Sequence, residues 1–291
     1  MIGRGGMGSQ VLALLGGRGM LGVDVAAACS RRGYDVRIYD LPEFDITSGD
    51  HLQQAVEAAD AVINCAAYTN VDGAQSQSEL AHRVNGEAVG RLGQLARQNG
   101  KWVLHFSTDF VFDGELDRPY VETDSPNPIN EYGKSKLAGE VLLRESGCSH
   151  CLVRLEWTYG LHGRNFISKL VERAKTGKTL SVVSDQVGSP TATTEAAKAV
   201  CDLLARRAEG LFHFASGGYV SRYDMAAFVF DHLGLEVELK PCRTSDYPAA
   251  AARPLNSRFD CRKIGPLLSE PIAPWQRPLE HFLSELLQNE D

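Results

Sequence analysis

A glycine-rich turn between an apolar strand and a helix constrains this chain more than any other feature. QVLALLG, residues 10–16, is a short apolar run. Gly16-Gly17-Arg18-Gly19-Met20-Leu21-Gly22 follows, and a helical pattern runs from about Leu21 to Arg32, with Gly33 placed to end it. Glycines at the first, fourth and seventh positions let the backbone turn tightly and approach an anionic group resting on the helix N-terminus. The next strand, Val36 to Tyr39, closes at Asp40, where a carboxylate can accept from a ribose 2′-hydroxyl. Alone the glycines are a weak signal. Between strand and helix, and followed by this acid, they specify a dinucleotide turn.

The alternation continues for two-thirds of the chain. Asp50 is expected to cap a helix through Ala59, and Ala61 to Asn64 reads as a buried strand. Ser76-Gln-Ser-Glu79 reads as a capping box ahead of a helix ending near Asn99-Gly100. Trp102 to Phe106 and Leu152 to Leu155 read as strands, with a helix between them at Tyr132 to Glu145. Strands separated by helices imply an α/β fold, a Rossmann-type doubly wound parallel sheet. Beyond about residue 160 the pattern loosens. Helices are expected at Phe166 to Lys175, Thr194 to Arg207, Tyr223 to Leu233 and Pro278 to Leu287, with short strands at 180–183, 211–215 and 236–240. The expected organisation is a flexible leader at 1–10, a dinucleotide-binding domain at 11–160, and a smaller C-terminal substrate-binding lobe at 161–291, interwoven with the first.

Composition narrows the partners. A net charge of −7 opposes a non-specific nucleic-acid binder, which needs a basic face against phosphates. The longest apolar stretch, Met20 to Cys29, is interrupted by Asp24 and falls short of the ~18 residues of a membrane span. Seven scattered cysteines are not a disulfide framework, and the Cys148–Cys151 pair lacks the second ligand pair of a zinc site. These features fit the reducing cytoplasm.

Tyr132-Gly-Lys-Ser-Lys136 places a phenol and an ammonium at i and i+4 on one helix face. A free phenol has a pKa near 10 and is a sluggish acid at neutral pH. A lysine charge favours the phenolate, and lowering the pKa by about three units requires roughly 4 kcal/mol. The pair suits passing a proton to or from a carbonyl oxygen while hydride moves at its carbon. Ser107-Thr108-Asp109 ends a strand, so a hydroxyl there can orient the same oxygen.

These stretches, with FDIT, VINCAAYTNVD, HFSTDFVFDG, NEYGKSKLAGE, DQVGSPT and RPLNSRFD, run nearly end to end. On them the chain resembles the extended short-chain dehydrogenase/reductases, and among these the dTDP-4-dehydrorhamnose reductase family. The resemblance implies that Gly16, Gly19, Met20 and Leu21 lie against a pyrophosphate and Asp40 at the adenosine ribose. It places Asp45 and Ile46 near the adenine, and Ala67, Tyr68, Thr69 and Phe106 beside the cofactor's other half. It makes Tyr132 the proton donor, Lys136 its electrostatic partner and ribose anchor, and Thr108 the hydroxyl polarising a sugar ketone. Asp109, Trp157 and Val71 would meet the nucleotide sugar. The implied cofactor is NADH or NADPH: Asp40 leans toward NADH, while Arg18 could meet a 2′-phosphate. Some relatives bind Mg²⁺ at a dimer interface. Its ligands have no match here and no metal site is assigned; a homodimer stays open.

Relatives that dehydrate nucleotide sugars carry a carboxylate after Thr-Asp, whereas this chain has Phe110, which moves no proton. Carbonyl reduction is therefore expected over elimination, with a dTDP-4-keto-6-deoxyhexose as substrate. Two alternatives are an epimerase, which recycles its cofactor, and a non-catalytic regulatory protein similar to the methionine adenosyltransferase regulatory subunit. Glu156 replaces a small polar residue of the family. Beside the sugar pocket it would repel a diphosphate or hydrogen-bond a sugar hydroxyl.

Overall fold

The computed structural model describes residues 9–177 and 179–288. The expected leader therefore lies, Ser9 and Gln10 apart, outside the described residues.

In chain order the first elements are β1 (Val11–Leu15), α1 (Met20–Arg31), β2 (Asp35–Tyr39), α2 (Gly49–Glu57) and β3 (Ala61–Asn64). Helix α3 (Ser78–His82) continues through a π-helical stretch, Arg83–Glu87, into α4 (Ala88–Gln98). Then come β4 (Trp102–Thr108), α5 (Glu131–Glu145), β5 (His150–Leu155), β6 (Thr158–Tyr159), α6 (Phe166–Ala174), β7 (Leu180–Val183), β8 (Val187–Gly188) and β9 (Thr191–Ala192). The described chain closes with α7 (Thr193–Arg206), β10 (Gly210–Phe214), β11 (Val220–Ser221), α8 (Arg222–Leu233), β12 (Leu239–Cys242) and α9 (Gln276–Gln288).

Six parallel strands make the central sheet, in the order β2-β1-β3-β4-β5-β10. A parallel sheet is covered on both faces, and β1 shows how. Leu12 and Leu14 pack with Val25 and Ala28 of α1 and with Ala196, Val200 and Leu203 of α7. The alternate residues, Ala13 and Leu15, pack with Leu52 and Ala55 of α2 and with Val89 and Leu92 of α4. A second apolar cluster joins Tyr159, Ile167, Leu170, Leu180, Met225, Val229, Leu279 and Phe282. Helix α7 and β10, both beyond residue 160, return to the central sheet.

Three local expectations give way. Ser48, not Asp50, caps α2, accepting from the His51 N–H; the shorter hydroxyl reaches the first turn while Asp50 sits inside it. Ser76 forms no capping box, because its hydroxyl donates to the Gly73 carbonyl and α3 starts two residues later. The strand expected at 236–240 is β12, Leu239–Cys242, shifted to pair in parallel with β7. No helix among the described residues is long and apolar enough to cross a membrane.

Strand order reverses between β1 and β3, so the loops following these strands part and leave a crevice at their C-terminal ends. The glycine turn after β1, Cys65–Ala67 after β3, and Ser107–Asp109 at the end of β4 all open into it.

Candidate active site

The crevice is a cleft of about 800 Å³, lined by every sequence-predicted site residue except Tyr68. Tyr68 instead turns its hydroxyl to Gln77, 3.1 Å away. Its backbone is gripped by Asn85, which accepts from the Tyr68 N–H at 2.8 Å and donates to its carbonyl at 3.0 Å.

On the glycine side the recognition surface is main chain. Gly16 has φ +71°, and a Cβ there would stand 2.5 Å from the Ala66 nitrogen. Gly19 caps α1 without any side-chain hydrogen bond, which leaves the first-turn N–H groups of α1 without a side-chain acceptor. Met20 and Leu21 of that turn line the cleft. This cradle fits the diphosphate of a dinucleotide. Asp40 holds the loop: one carboxylate oxygen accepts from the Arg18 N–H at 2.7 Å, the other from the Leu41 N–H at 2.8 Å. The Arg18 guanidinium bonds the Leu41 carbonyl and Glu43 at the rim. Asp45 accepts from Thr47 twice, and this backbone N–H above all holds its carboxyl below the usual range.

Helix α5 carries the phenol and the ammonium. Asn130 caps it, accepting from the Gly133 N–H at 2.8 Å and donating to the Ala252 carbonyl at 2.8 Å. Gly133 allows α5 to approach the loop after β4, because a Cβ there would collide with the Phe110 carbonyl oxygen. Tyr132 is half-buried and meets Phe110 edge-on, with centroids 5.6 Å apart. Its phenol is pushed up to about 12 by burial and by the charge of Asp109. The lowering expected from Lys136 is not what dominates: Lys136 is buried and donates to the Phe106 carbonyl at 2.7 Å. Burial in turn lowers its ammonium to about 8, against a partial opposing pull from Glu140.

Lys136 has a neighbour that sequence reasoning missed. The Asn64 side-chain oxygen accepts from the Ala66 N–H at 3.0 Å, so its amide nitrogen faces His105 Nδ1, also at 3.0 Å. An amide nitrogen only donates, so His105 Nδ1 is the acceptor and the ring proton sits on Nε2. That nitrogen stands 3.4 Å from Lys136 Nζ, and burial with the Lys136 charge keeps the ring neutral. Four residues along α5, Glu140 makes a fully buried, two-pronged ion pair with Arg154, at 2.8 and 2.7 Å.

The far side of the cleft is built of side chains. Thr108 donates to Asp109 at 3.0 Å and accepts from the Phe110 N–H at 3.3 Å. Asp109 also accepts from Ser257 at 2.5 Å, and burial raises its carboxyl. Trp157, at φ +46°, stacks against the guanidinium of Arg222, 3.5 Å from the ring centre. Glu156 does not reach the cleft. It is fully buried, accepts from the N–H groups of Ser189 at 2.9 Å and Phe259 at 3.2 Å, and burial followed by the Asp109 charge raises its carboxyl well above the usual range. It braces two loops under Trp157 and meets no ligand directly. Ser257 and Arg222 carried no local motif to mark them.

Among the described residues no group of three or more His, Cys, Asp or Glu side chains could hold a metal ion. Thr108, Tyr132 and Lys136 thus share one cleft with a glycine cradle, an arrangement able to give a proton to a carbonyl oxygen beside a dinucleotide.

The profile of the RmlD substrate binding domain family matches residues 10–288. The dTDP-4-dehydrorhamnose reductase of Salmonella typhimurium is 37% identical over 78% of this chain and 80% of its own length. The Escherichia coli enzyme of the same name is 33% identical over 94% of this chain and 97% of its own length. A crystal structure of dTDP-4-dehydrorhamnose reductase from Bacillus anthracis in complex with NADP superposes with a TM-score of 0.91, at 31% identity, covering 96% of this chain and all of that one. With a match across almost its whole length and this fold beneath it, the chain belongs to the RmlD substrate binding domain family.

Proposed function

We propose that this chain is an NADPH-dependent oxidoreductase that reduces the C4 ketone of dTDP-4-dehydrorhamnose to give dTDP-L-rhamnose. The observation that carries the reading is the convergence of Thr108, Tyr132 and Lys136 on one cleft with the glycine cradle, in a chain whose relatives bear this activity by name.

When bound, the nicotinamide supplies hydride to the ketone carbon; the chain's own residues manage the oxygen. Tyr132, protonated in the free site where burial and the Asp109 charge push its phenol up to about 12, donates its proton there as hydride transfer leaves the oxygen strongly basic. The phenolate left behind is stabilised by the Lys136 ammonium. Thr108 swings its hydroxyl hydrogen from Asp109 to the ketone oxygen, polarising it. Phe110 supplies no acid for a leaving hydroxyl, which keeps elimination out.

NADPH is preferred over NADH because the Bacillus anthracis relative is described in complex with NADP. The C-terminal cluster with the loops around Trp157 and Ser257 forms the sugar-facing lobe. Seven scattered free cysteines support a reducing, cytoplasmic setting.

The test follows NADPH and NADH oxidation with a dTDP-4-keto-6-deoxyhexose. One cofactor is consumed per product, and Tyr132→Phe lowers kcat by about 10²–10⁴-fold with cofactor affinity retained. Turnover without net cofactor consumption would mean an epimerase. Binding of NADPH without turnover of any such ketone would mean a regulatory module.

A further inference from the structure

Three arginines line the cleft, and two are already engaged. Arg18 is paired with Glu43 at 2.8 Å and Arg164 with Glu172 at 2.7 Å. Arg253, near enough for its charge to be felt at Arg222, is spent on a two-pronged pair with Asp72, at 2.7 and 2.8 Å. Arg222 is different. Its guanidinium lies 3.5 Å from the ring centre of Trp157 and 4.7 Å from that of Phe166. Among the described residues no side chain or carbonyl accepts a hydrogen bond from it.

The nearby acids do not fill this role. Asp109 is bonded to Thr108 and Ser257, and Glu156 to the N–H groups of Ser189 and Phe259. Both attract the guanidinium through space, yet burial still lowers it to about 9. Arg222 is half-buried, with its stem and one face of the guanidinium covered by the aromatic rings and no protein acceptor on the side that lines the cleft. The same stacking holds the planar donor fork in a fixed plane with its edge free. That is the arrangement that suits two-pronged contact with phosphate oxygens.

We infer that Arg222 is the side-chain contact for the diphosphate of the nucleotide sugar, clamped by Trp157 and Phe166 so that its fork meets the phosphate oxygens. This rests on the nucleotide-sugar reading above. The contact places the anion on the Trp157 side of the cleft, away from the glycine cradle, so the two diphosphates in the site are held by unlike means. Arg222 acts on binding and touches no reacting atom.

The experiment measures binding of thymidine diphosphate, which lacks the sugar, by calorimetry, with NADPH affinity and thermal melting as controls. Arg222→Met should weaken thymidine diphosphate by about tenfold or more and raise KM for the nucleotide sugar in step, with kcat within about threefold of wild type and NADPH affinity unchanged. Arg222→Lys, which keeps the charge without the fork, should recover part of the loss. Unchanged thymidine diphosphate affinity in Arg222→Met overturns the inference, whether kcat falls, which would place Arg222 at the sugar, or not. If Arg222→Met does not fold, Arg222→Lys decides: about threefold weaker binding supports the fork contact, and wild-type affinity overturns it. If the wild-type chain binds NADPH but not thymidine diphosphate, the nucleotide-sugar reading itself has failed.

Discussion

On the wall of the cleft formed by the glycine turn and the N-terminus of α1, the chain offers backbone amides. On the wall formed by Asp109, Trp157 and Arg222, it offers side chains, a buried carboxyl and a half-buried guanidinium stacked on an indole. The first wall takes its shape from adjacent residues, with Asp40 bracing it from the end of β2. Gly16 at φ +71° and an uncapped helix start are local properties of seven consecutive residues. The second wall is assembled across the molecule: Asp109 is held by Ser257, and Glu156 by N–H groups 33 and 103 residues further on. On the proposed reading, main chain meets what all dinucleotides share, whereas side chains brought from afar meet the sugar nucleotide.

The largest effect is expected at the buried ion pair that joins α5 to β5, behind Lys136. Glu140→Gln removes one partner of a pair with no access to water and leaves Arg154 uncompensated. It should destabilise the fold by about 3–5 kcal/mol, read as a lower denaturant midpoint at unchanged slope. A loss under about 1 kcal/mol would show that the interior on this side is wetter than the packing implies.

The next largest effect belongs to the first wall. Gly16→Val sets a side chain against the Ala66 backbone at a φ that branched residues avoid. A loop displaced by about an ångström should cost roughly a hundredfold in NADPH affinity, while thymidine diphosphate still binds. Equal losses for both ligands would erase the distinction between the walls.

The smallest effect is a pH dependence where the walls meet. Lys136 is held at about 8, below the ordinary lysine value of about 10.4. The ammonium is the working form, so kcat/KM should fall about tenfold per pH unit above 8. Stability moves the other way. Between about 8 and 10.4 the unfolded chain binds more protons at this position than the folded one, so this group's contribution to folding improves as pH rises through that window. A flat rate profile up to pH 10 would remove Lys136 from the proton-handling role.

What was legible in the sequence follows the same division. The glycine turn, the Tyr132–Lys136 spacing and the strand-end hydroxyl of Thr108 are each written in a few adjacent residues, and the structure gathers them into one cleft. Tyr68 shared their stretch but not their place, because Asn85 grips its backbone from a π-helical turn that leaves no trace in hydrophobic periodicity. The direction of the Tyr132 shift was also out of reach: i,i+4 spacing shows a neighbour, while burial and the Asp109 charge come from the loop after β4. Arg222 and Glu156 acquire their roles only through partners on other elements. Ser48 outcompeting Asp50 as a cap was decided by two residues of loop geometry.

The return of α7 and β10 to the central sheet has a consequence for how the chain is made. β5 finds its outer neighbour only in Gly210–Phe214, and the face of β1 that holds Leu12 and Leu14 is covered partly by α7. During synthesis, an emerging chain that has passed α5 but not residue 214 still carries an unpaired strand edge and an uncovered apolar face, both sticky toward other nascent chains. Assembly of the central sheet must therefore wait on segments made some sixty residues after β5, which ties the birth of one wall of the cleft to that of the other.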